Sequence, residues 1–134
     1  MQDEEGETGS LARHESPAFV LKAQTPVEDV APGMKRQLLG YNDAIMAARV
    51  WFDEGAVGAL HKHPHSQVAY VESGRFDVTV GGETRTLTAG DSFYVAPDTM
   101  HGAVCREAGV LIDIFSPARK DFLVEGAKSG GYQS

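Results

Sequence analysis

Short strand-like runs separated by turn residues are the feature of this sequence that most restricts its fold. Between residues 34 and 115 such runs recur about every 8–12 residues. In Arg75–Val80 apolar residues alternate with polar ones, and the Gly81-Gly82 pair that follows is typical of a tight hairpin. No stretch in this region keeps the 3.6-residue period of an amphipathic helix. The pattern therefore predicts an all-β sandwich or barrel.

The individual strands can be assigned from these runs. A short apolar run, Phe19–Lys22, is predicted to be an edge strand. The other predicted strands are Met34–Leu39, Ile45–Phe52, Gln67–Glu72, Arg75–Val80, Glu83–Leu87, Ser92–Ala96, His101–Cys105 and Gly109–Phe115. The proline-bearing segment Gln24–Gly33 is predicted to be a loop, and Ser73-Gly74 a turn. Residues 117–128 are predicted to form one helical turn or an arm.

The length and composition indicate one domain. A chain of 134 residues suits a single core. Residues 1–16 are polar and acidic, so we expect a disordered tail there, followed by a barrel domain over residues 17–128. Residues 129–134 are expected to be a flexible tail. The single cysteine, Cys105, excludes an intramolecular disulfide, and we interpret it as a small buried residue.

The charge balance excludes some partners. A formal net charge of −7 is unfavourable for binding nucleic acid, which requires a basic face. No apolar run approaches about 20 residues, so no membrane span is expected. The chain starts MQDEEGETGS, which is acidic where a secretory signal is basic and then apolar, so we expect a cytoplasmic location.

The densest group of metal-binding residue types lies at residues 61–67. On an extended strand His61, His63 and Gln67 would point to one face, and His101, which opens a later strand, is the predicted fourth ligand. Imidazoles and an amide oxygen favour a divalent transition metal, namely Zn, Ni, Mn, Fe or Co. Such neutral ligands leave the charge of the ion uncompensated, which favours a small anionic substrate. A surface His-x-His pair is the competing interpretation, and His65 shares the same parity.

The last predicted strand carries a carboxylate among apolar residues. Leu111, Asp113 and Phe115 share one face, and Ile112 and Ile114 the other. Alternation alone does not say which face is inward. If Asp113 faces inward, its burial requires a partner or a role, and a proton shuttle is the role we would assign.

Both histidine segments resemble the motifs of the cupin family. The first motif, G-x₅-H-x-H-x₃₋₄-E-x₆-G, is matched by Gly55, His61, His63, Gln67 and Gly74, with glutamine in place of the usual glutamate. The second, G-x₅-P-x-G-x₂-H-x₃-N, is matched at Gly90 and His101, with alanine, aspartate and cysteine at the other positions. The resemblance implies a double-stranded β-helix (jelly-roll) barrel with the metal inside.

Within the cupins, the segment H-x-H-P-H-x-Q is similar to the pectin-degradation (KdgF-type) group. The resemblance implies ring opening and tautomerisation of 4,5-unsaturated uronates to linear keto forms. The D-x-F-x₃-R spacing of that group falls on Asp113, Phe115 and Arg119. In the implied mechanism the metal polarises sugar oxygens, Arg119 clamps the carboxylate and Asp113 moves a proton, with no redox change.

Two alternative functions and several weaker residue assignments stay open. The same histidines would serve a cupin dioxygenase that uses Fe or Mn with O₂, or a non-catalytic sugar-binding cupin. Lys35, Arg36 and Arg49 are weaker candidates for binding the carboxylate, and Trp51 and Tyr70 are expected in the core. By analogy with small cupins we expect a homodimer formed through the outer sheet. Residues 17–30 and 120–128 would be its swapped or packed segments.

Overall fold

The computed structural model describes residues 14–123, and these residues form eight strands. These are β1 (Glu28–Ala31), β2 (Met34–Tyr41), β3 (Met46–Phe52), β4 (Val57–His61), β5 (Ser66–Val80), β6 (Glu83–Thr88), β7 (Ser92–Val95) and β8 (His101–Ser116). Two short 3₁₀ helices, Lys22–Gln24 and Lys120–Leu123, lie before and after them. Within residues 14–123, no helix has the length and apolar character needed to cross a membrane.

All strand pairs are antiparallel, and the two longest strands lie at the centre. The order is β1-β2-β3-β8-β5-β6, with β4 paired to β8 and β7 paired to β5. The first half of β8 pairs with β4 and the second half with β3, while β5 runs along its other side. Strands β5 and β8 therefore contribute to both facing layers. This arrangement confirms the predicted all-β jelly-roll barrel.

The inward faces of the strands form one core. In β3 the alternate residues Met46, Ala48, Val50 and Phe52 are all buried. They meet inward residues of β5 and β8, and the Phe52 and Phe76 rings pack edge to face with their centroids 5.1 Å apart. The hydrophobic effect of this burial holds the layers together, because the strands on their own would leave one apolar face in water.

Two glycines allow β5 and β8 to bend across each other. Gly74 has a φ of +87°, and a Cβ there would lie 2.6 Å from the Cα of Gly109. A Cβ on Gly109 would lie 2.1 Å from the carbonyl oxygen of Ser73. The backbones could not approach this closely with any larger residue. The prediction of a turn at Ser73-Gly74 was therefore wrong: the chain makes a bulge within one continuous strand.

Other parts of the strand prediction also need correction. The predicted strands His101–Cys105 and Gly109–Phe115 are one strand, β8, and the predicted loop Gln24–Gly33 contains β1. The segment Phe19–Lys22 is not a strand. It belongs to an arm that lies over β2, where the amide of Gln37 donates hydrogen bonds to the carbonyls of Lys22 and Thr25, both at 3.0 Å.

The predicted tails fall mostly outside the described residues. Residues 1–13 of the predicted N-terminal tail and the segment 124–134 are not described. Residues 14–16 are described, and Ser16 is attached to the barrel: its backbone amide donates to the carbonyl of Tyr41 at 2.9 Å, and its hydroxyl accepts from the Tyr41 amide. The domain bounds stay a prediction.

Candidate active site

Four predicted ligands come together at one end of the barrel. His61 is the last residue of β4, His63 lies in the bend that follows, Gln67 is the second residue of β5, and His101 opens β8. His61 and His101 are register partners on neighbouring strands. The prediction that one extended strand carries the first three residues was wrong, because the chain bends at residues 62–65. The four side chains instead come from three strands and a bend.

The three histidine rings surround a common point. The ring centroids of His61 and His101 lie 4.3 Å apart, those of His63 and His101 4.7 Å, and those of His61 and His63 5.5 Å. One nitrogen from each ring lies within 4.8 Å of the other two. Nitrogens at these separations can bind a single transition-metal ion.

Backbone carbonyls orient all three rings. Each Nδ1 faces a carbonyl oxygen two residues away, at 2.8 Å for His61, 2.9 Å for His101 and 3.2 Å for His63. A carbonyl can only accept, so each Nδ1 must carry the hydrogen. In a neutral ring the lone pair is then on Nε2, the atom left to face the centre of the cluster. Such fixing of the tautomer by a carbonyl is usual for metal-binding histidines.

Gln67 adds an oxygen to the same centre. Its Oε1 lies 3.0 Å from Nε2 of His63, and its amide nitrogen donates to Oδ1 of Asp113 at 3.1 Å. With Nδ1 of His63 donating to its carbonyl, Nε2 and Oε1 are two acceptors in contact. A proton on His63 or a bound cation would relieve that contact.

Of a proton on His63 and a bound cation, burial makes the proton the less favourable. Desolvation lowers the pKa of His61 to about 4, and it also lowers the pKa of His63. The nearby guanidinium of Arg119 lowers the pKa of both rings further. Neutral imidazoles are the form that binds metal ions, so the same electrostatics that disfavour a proton leave the nitrogens available for a metal.

The donor set therefore fits a divalent transition metal. Within residues 14–123, Nε2 of His61 is buried without a hydrogen-bond partner, as expected for an atom whose partner is an ion. Three imidazole nitrogens and an amide oxygen suit Zn, Ni, Mn, Fe or Co better than Mg or Ca. The residues that could hold the ion are His61, His63, Gln67 and His101.

His65 lies beside the cluster without joining it. Its ring packs edge-on against His63, with centroids 5.3 Å apart, and against Phe115 at 6.5 Å. It is absent from the group whose nitrogens converge. Its backbone carbonyl accepts the hydrogen bond from Nδ1 of His63. His65 thus supports the orientation of a candidate ligand through its main chain.

The face of β8 that carries Asp113 is directed into the barrel. Leu111, Asp113 and Phe115 are fully buried, whereas Ile114 is 36% exposed. The Phe115 ring stands edge to face with His63 at 5.9 Å. The open question of strand parity is therefore settled, and Asp113 is a buried carboxylate whose partner, Gln67, reaches the histidine cluster.

Arg119 lies above this group and is held by a residue that the sequence analysis missed. Its side chain is 5% exposed, and its guanidinium carbon is 5.2 Å from the centre of the Phe115 ring. Nε and Nη2 donate to the two carboxylate oxygens of Asp121 at 3.0 and 2.9 Å. No sequence pattern singled out Asp121, although its position two residues after Arg119 was the available signal.

The weaker candidates lie in different places. Arg36 is buried on the inward face of β2, where Nη2 donates to Glu28 at 2.9 Å and the guanidinium carbon lies 3.9 Å from the centre of the Phe122 ring. Lys35 is exposed and lies 3.6 Å from Asp29, and Arg49 donates to Gln37 on the outer face.

Two aromatic assignments were wrong, and one cysteine assignment agrees with the structure. Tyr70 is 45% exposed on the outer face of the sheet, and Trp51 is only half-buried, with the Arg49 guanidinium 5.8 Å from its ring centre. Cys105 is fully buried, and desolvation raises the pKa of its thiol, which is consistent with an unreactive core residue.

Comparison with known proteins agrees with this geometry. The profile of the cupin domain matches residues 48–115. The pectin degradation protein KdgF of Dickeya dadantii (strain 3937) is 44% identical over 107 residues, which cover 78% of this chain and 97% of that protein.

Two solved structures are also similar. One is an RmlC-like cupin from Shewanella frigidimarina, with a TM-score of 0.80 and 54% identity over 81% of this chain and 98% of that one. The other is KdgF from a Halomonas species, with a TM-score of 0.76 and 41% identity over 80% of this chain and 99% of that one.

Proposed function

The chain belongs to the cupin family, and we propose that it opens the ring of 4,5-unsaturated uronates and converts them to linear keto acids. Its likeness to pectin-degradation proteins over nearly their whole length supports this substrate class. The observation that carries the proposal is the buried Asp113, hydrogen-bonded to Gln67 beside three convergent histidines. A carboxylate at that position can move protons on a sugar held at the histidine cluster.

A divalent transition metal held by His61, His63, Gln67 and His101 would polarise the sugar oxygens and make the hemiacetal hydroxyl more acidic. Because the four ligands are neutral, an anionic sugar would be attracted to the site. The reaction needs no change of oxidation state, so Zn or Ni would serve as well as Mn, Fe or Co.

Arg119 is the residue that we assign to the substrate carboxylate. Its planar guanidinium is matched to a carboxylate, and its position over Phe115 keeps it beside the histidine cluster. The buried Phe115 ring contacts both His63 and Arg119, and it would give the reacting atoms an apolar surface that excludes water. The sugar would thus lie between Arg119 and the metal-binding end of the barrel.

Asp113 is the residue that we assign to proton transfer. It takes the proton of the hemiacetal hydroxyl while the bond from that carbon to the ring oxygen breaks. The products of this step are an aldehyde and an enolate, whose negative charge lies on the former ring oxygen. Return of the same proton from Asp113 to the former double-bond carbon converts the enolate to a ketone. The proton taken from the hydroxyl equals the proton given to carbon, so the reaction is an isomerisation.

The direct test follows the loss of the C=C absorbance when purified, metal-loaded protein is mixed with a 4,5-unsaturated monouronate. We expect loss much faster than the spontaneous rate and no consumption of O₂. In Asp113→Asn the side-chain oxygen can still accept from Gln67, so metal content should be unchanged while kcat falls at least about 100-fold. A rate at the spontaneous level in the wild type would refute the proposed function, and O₂ uptake would favour the dioxygenase.

We also propose a homodimer formed through the outer face of the sheet. Three exposed apolar residues are register neighbours there: Val68 lies between Tyr94 on β7 and Ile114 on β8. Tyr94 is 61% exposed, and a second copy would cover this row. Light scattering should give twice the chain mass for the wild type and the monomer mass for Tyr94→Lys. A monomeric wild type would refute the dimer.

A further inference from the structure

Two residues of the C-terminal 3₁₀ helix contact Arg119 and have no part in the chemistry above. We propose that Asp121 and Phe122 are positioning residues that hold the Arg119 guanidinium in one orientation for the uronate carboxylate. This inference rests on the proposed function, and in particular on Arg119 as the anchor. It adds to that function two contacts, from Asp121 and Phe122 to Arg119, that determine how strongly the site prefers an acidic sugar over a neutral one.

Asp121 fixes the plane of the guanidinium. Its two oxygens accept parallel hydrogen bonds from Nε and Nη2 of Arg119, at 3.0 and 2.9 Å, which is the fork geometry of a bidentate pair. Partial burial raises the pKa of Asp121, but the hydrogen bond and charge of Arg119 outweigh it and the pKa is lowered. Asp121 therefore stays ionised and keeps both bonds at neutral pH.

Phe122 restrains the same guanidinium by packing against it. The residue is 7% exposed, and the guanidinium carbons of Arg119 and Arg36 lie 4.5 Å and 3.9 Å from the centre of its ring. Arg36 is itself tied to Glu28 by an ion pair at 2.9 Å. The ring also meets Phe115 at right angles, with centroids 5.6 Å apart.

This double restraint matters because bidentate recognition is directional. An unrestrained arginine loses rotamer entropy when it binds a carboxylate. The fork from Asp121 and the stack on Phe122 remove most of that freedom before the ligand arrives, so less is lost on binding. The effect should appear in ligand affinity and KM, and kcat should change little.

Whether anion affinity falls or rises when Asp121 is removed distinguishes a positioning role from simple neutralisation of the Arg119 charge. If Asp121 only neutralised Arg119, its removal would leave more positive charge in the site, and an anion would bind more tightly. If Asp121 positions Arg119, its removal weakens anion binding. In Phe122→Leu no charge changes and an apolar side chain is kept, so a weakened affinity there has no electrostatic explanation.

The test measures binding of galacturonate, a saturated uronate, and of its neutral methyl ester by calorimetry to metal-loaded protein, together with KM and kcat. In Asp121→Asn and Phe122→Leu we expect galacturonate affinity to fall and KM to rise about fivefold, with kcat within about twofold. Binding of the methyl ester should be unchanged, because it makes no charged pair with Arg119. Asp121→Glu should recover part of the loss. Lys120→Ala, an exposed position on the same helix, should match the wild type.

Several results would overturn the inference. They are a lowered KM in Asp121→Asn, an equal loss of affinity for the acid and its ester, or unchanged affinity in both variants at wild-type metal content. The two affinity results come from binding measurements alone, so they do not depend on whether the wild-type protein turns over the uronate. Wild-type protein that turns over the uronate while the variants behave identically would refute the positioning role alone. An inactive wild type would refute the proposed function itself.

Discussion

Replacing Gln67 by glutamate, the residue that most cupins have at this position, should destabilise the metal-free protein. The amide of Gln67 donates to Asp113 at 3.1 Å, and both side chains are buried. Glutamate has no hydrogen to donate, so the substitution would replace a hydrogen bond with two carboxylates in contact. At this distance two unit charges repel by about 5 kcal/mol when the effective dielectric constant is about 20.

Uptake of a proton limits the cost. At pH 8 protonation of an imidazole with its ordinary pKa costs about 2 kcal/mol, and protonation of a carboxyl with its ordinary pKa costs about 5 kcal/mol. For His63 the cost is higher than the first of these, because burial lowers its pKa. The loss in the free energy of unfolding should therefore be at least about 2 kcal/mol. For a domain of this size that lowers Tm by roughly 6 °C or more.

The assay is thermal unfolding at pH 8 with a chelator present. The matched control is the double variant Gln67→Glu/Asp113→Asn, in which the asparagine amide can donate to the new carboxylate, so Tm should largely recover. Added Zn should also raise Tm of the single variant, because the cation compensates the new charge. A single variant that melts within about 1 °C of the wild type, in chelator at pH 8, would refute the reasoning, since the two carboxyls could not then be in contact.

Three further predictions concern the cluster and the strand crossing. His63→Ala should lose metal binding, measured as metal content after dialysis, whereas His65→Ala should keep it; a full metal complement in the first variant would show that the ligand set is wrong. In metal-free protein the free energy of unfolding should fall as pH drops from about 6.5 towards 4, because unfolded His61 binds a proton near 6.5 and the native residue only near 4. Chemical denaturation across this pH range should show that the free energy of unfolding changes less steeply with pH in His61→Gln than in the wild type. An equal pH dependence in both proteins would contradict the lowered pKa of His61. Gly109→Ala should cost about 3 kcal/mol or more, because its Cβ would lie 2.1 Å from a carbonyl oxygen, and Gly82→Ala, with nothing within 4 Å, only about 1 kcal/mol; equal urea midpoints would exclude the steric argument.

The sequence predicted the fold class well because alternation and turn residues are local signals. The continuity of β5 and β8 could not be predicted, since Ser73-Gly74 has the composition of a turn. Only the approach of Gly109 from a distant strand shows that the glycine serves a crossing. The strand β1 was missed for a related reason: its pairing with β2 overrides the two prolines that border it.

The candidate site was predictable where spacing carries the information. His61, His63, Gln67 and His101 do converge, although from three strands and a bend and not along one extended strand. The contacts of Arg119 were beyond prediction, because they depend on how the chain turns after β8. The position of Asp121 two residues after Arg119 is a signal, but it does not show that the carboxylate turns back to bind the guanidinium.

The pairing of β5 with β8 also determines which fragments of the chain could contain a complete candidate site. His61, His63 and Gln67 precede the hairpin formed by β6, and His101 follows it, so neither half of the chain has all four candidate ligands. Gene fission or a stop codon before β8 would leave a fragment with at most three of the four candidate ligands. Among the described strands, β8 is the last to be synthesised and carries both His101 and Asp113, so the candidate site cannot be completed on the ribosome until β8 has emerged.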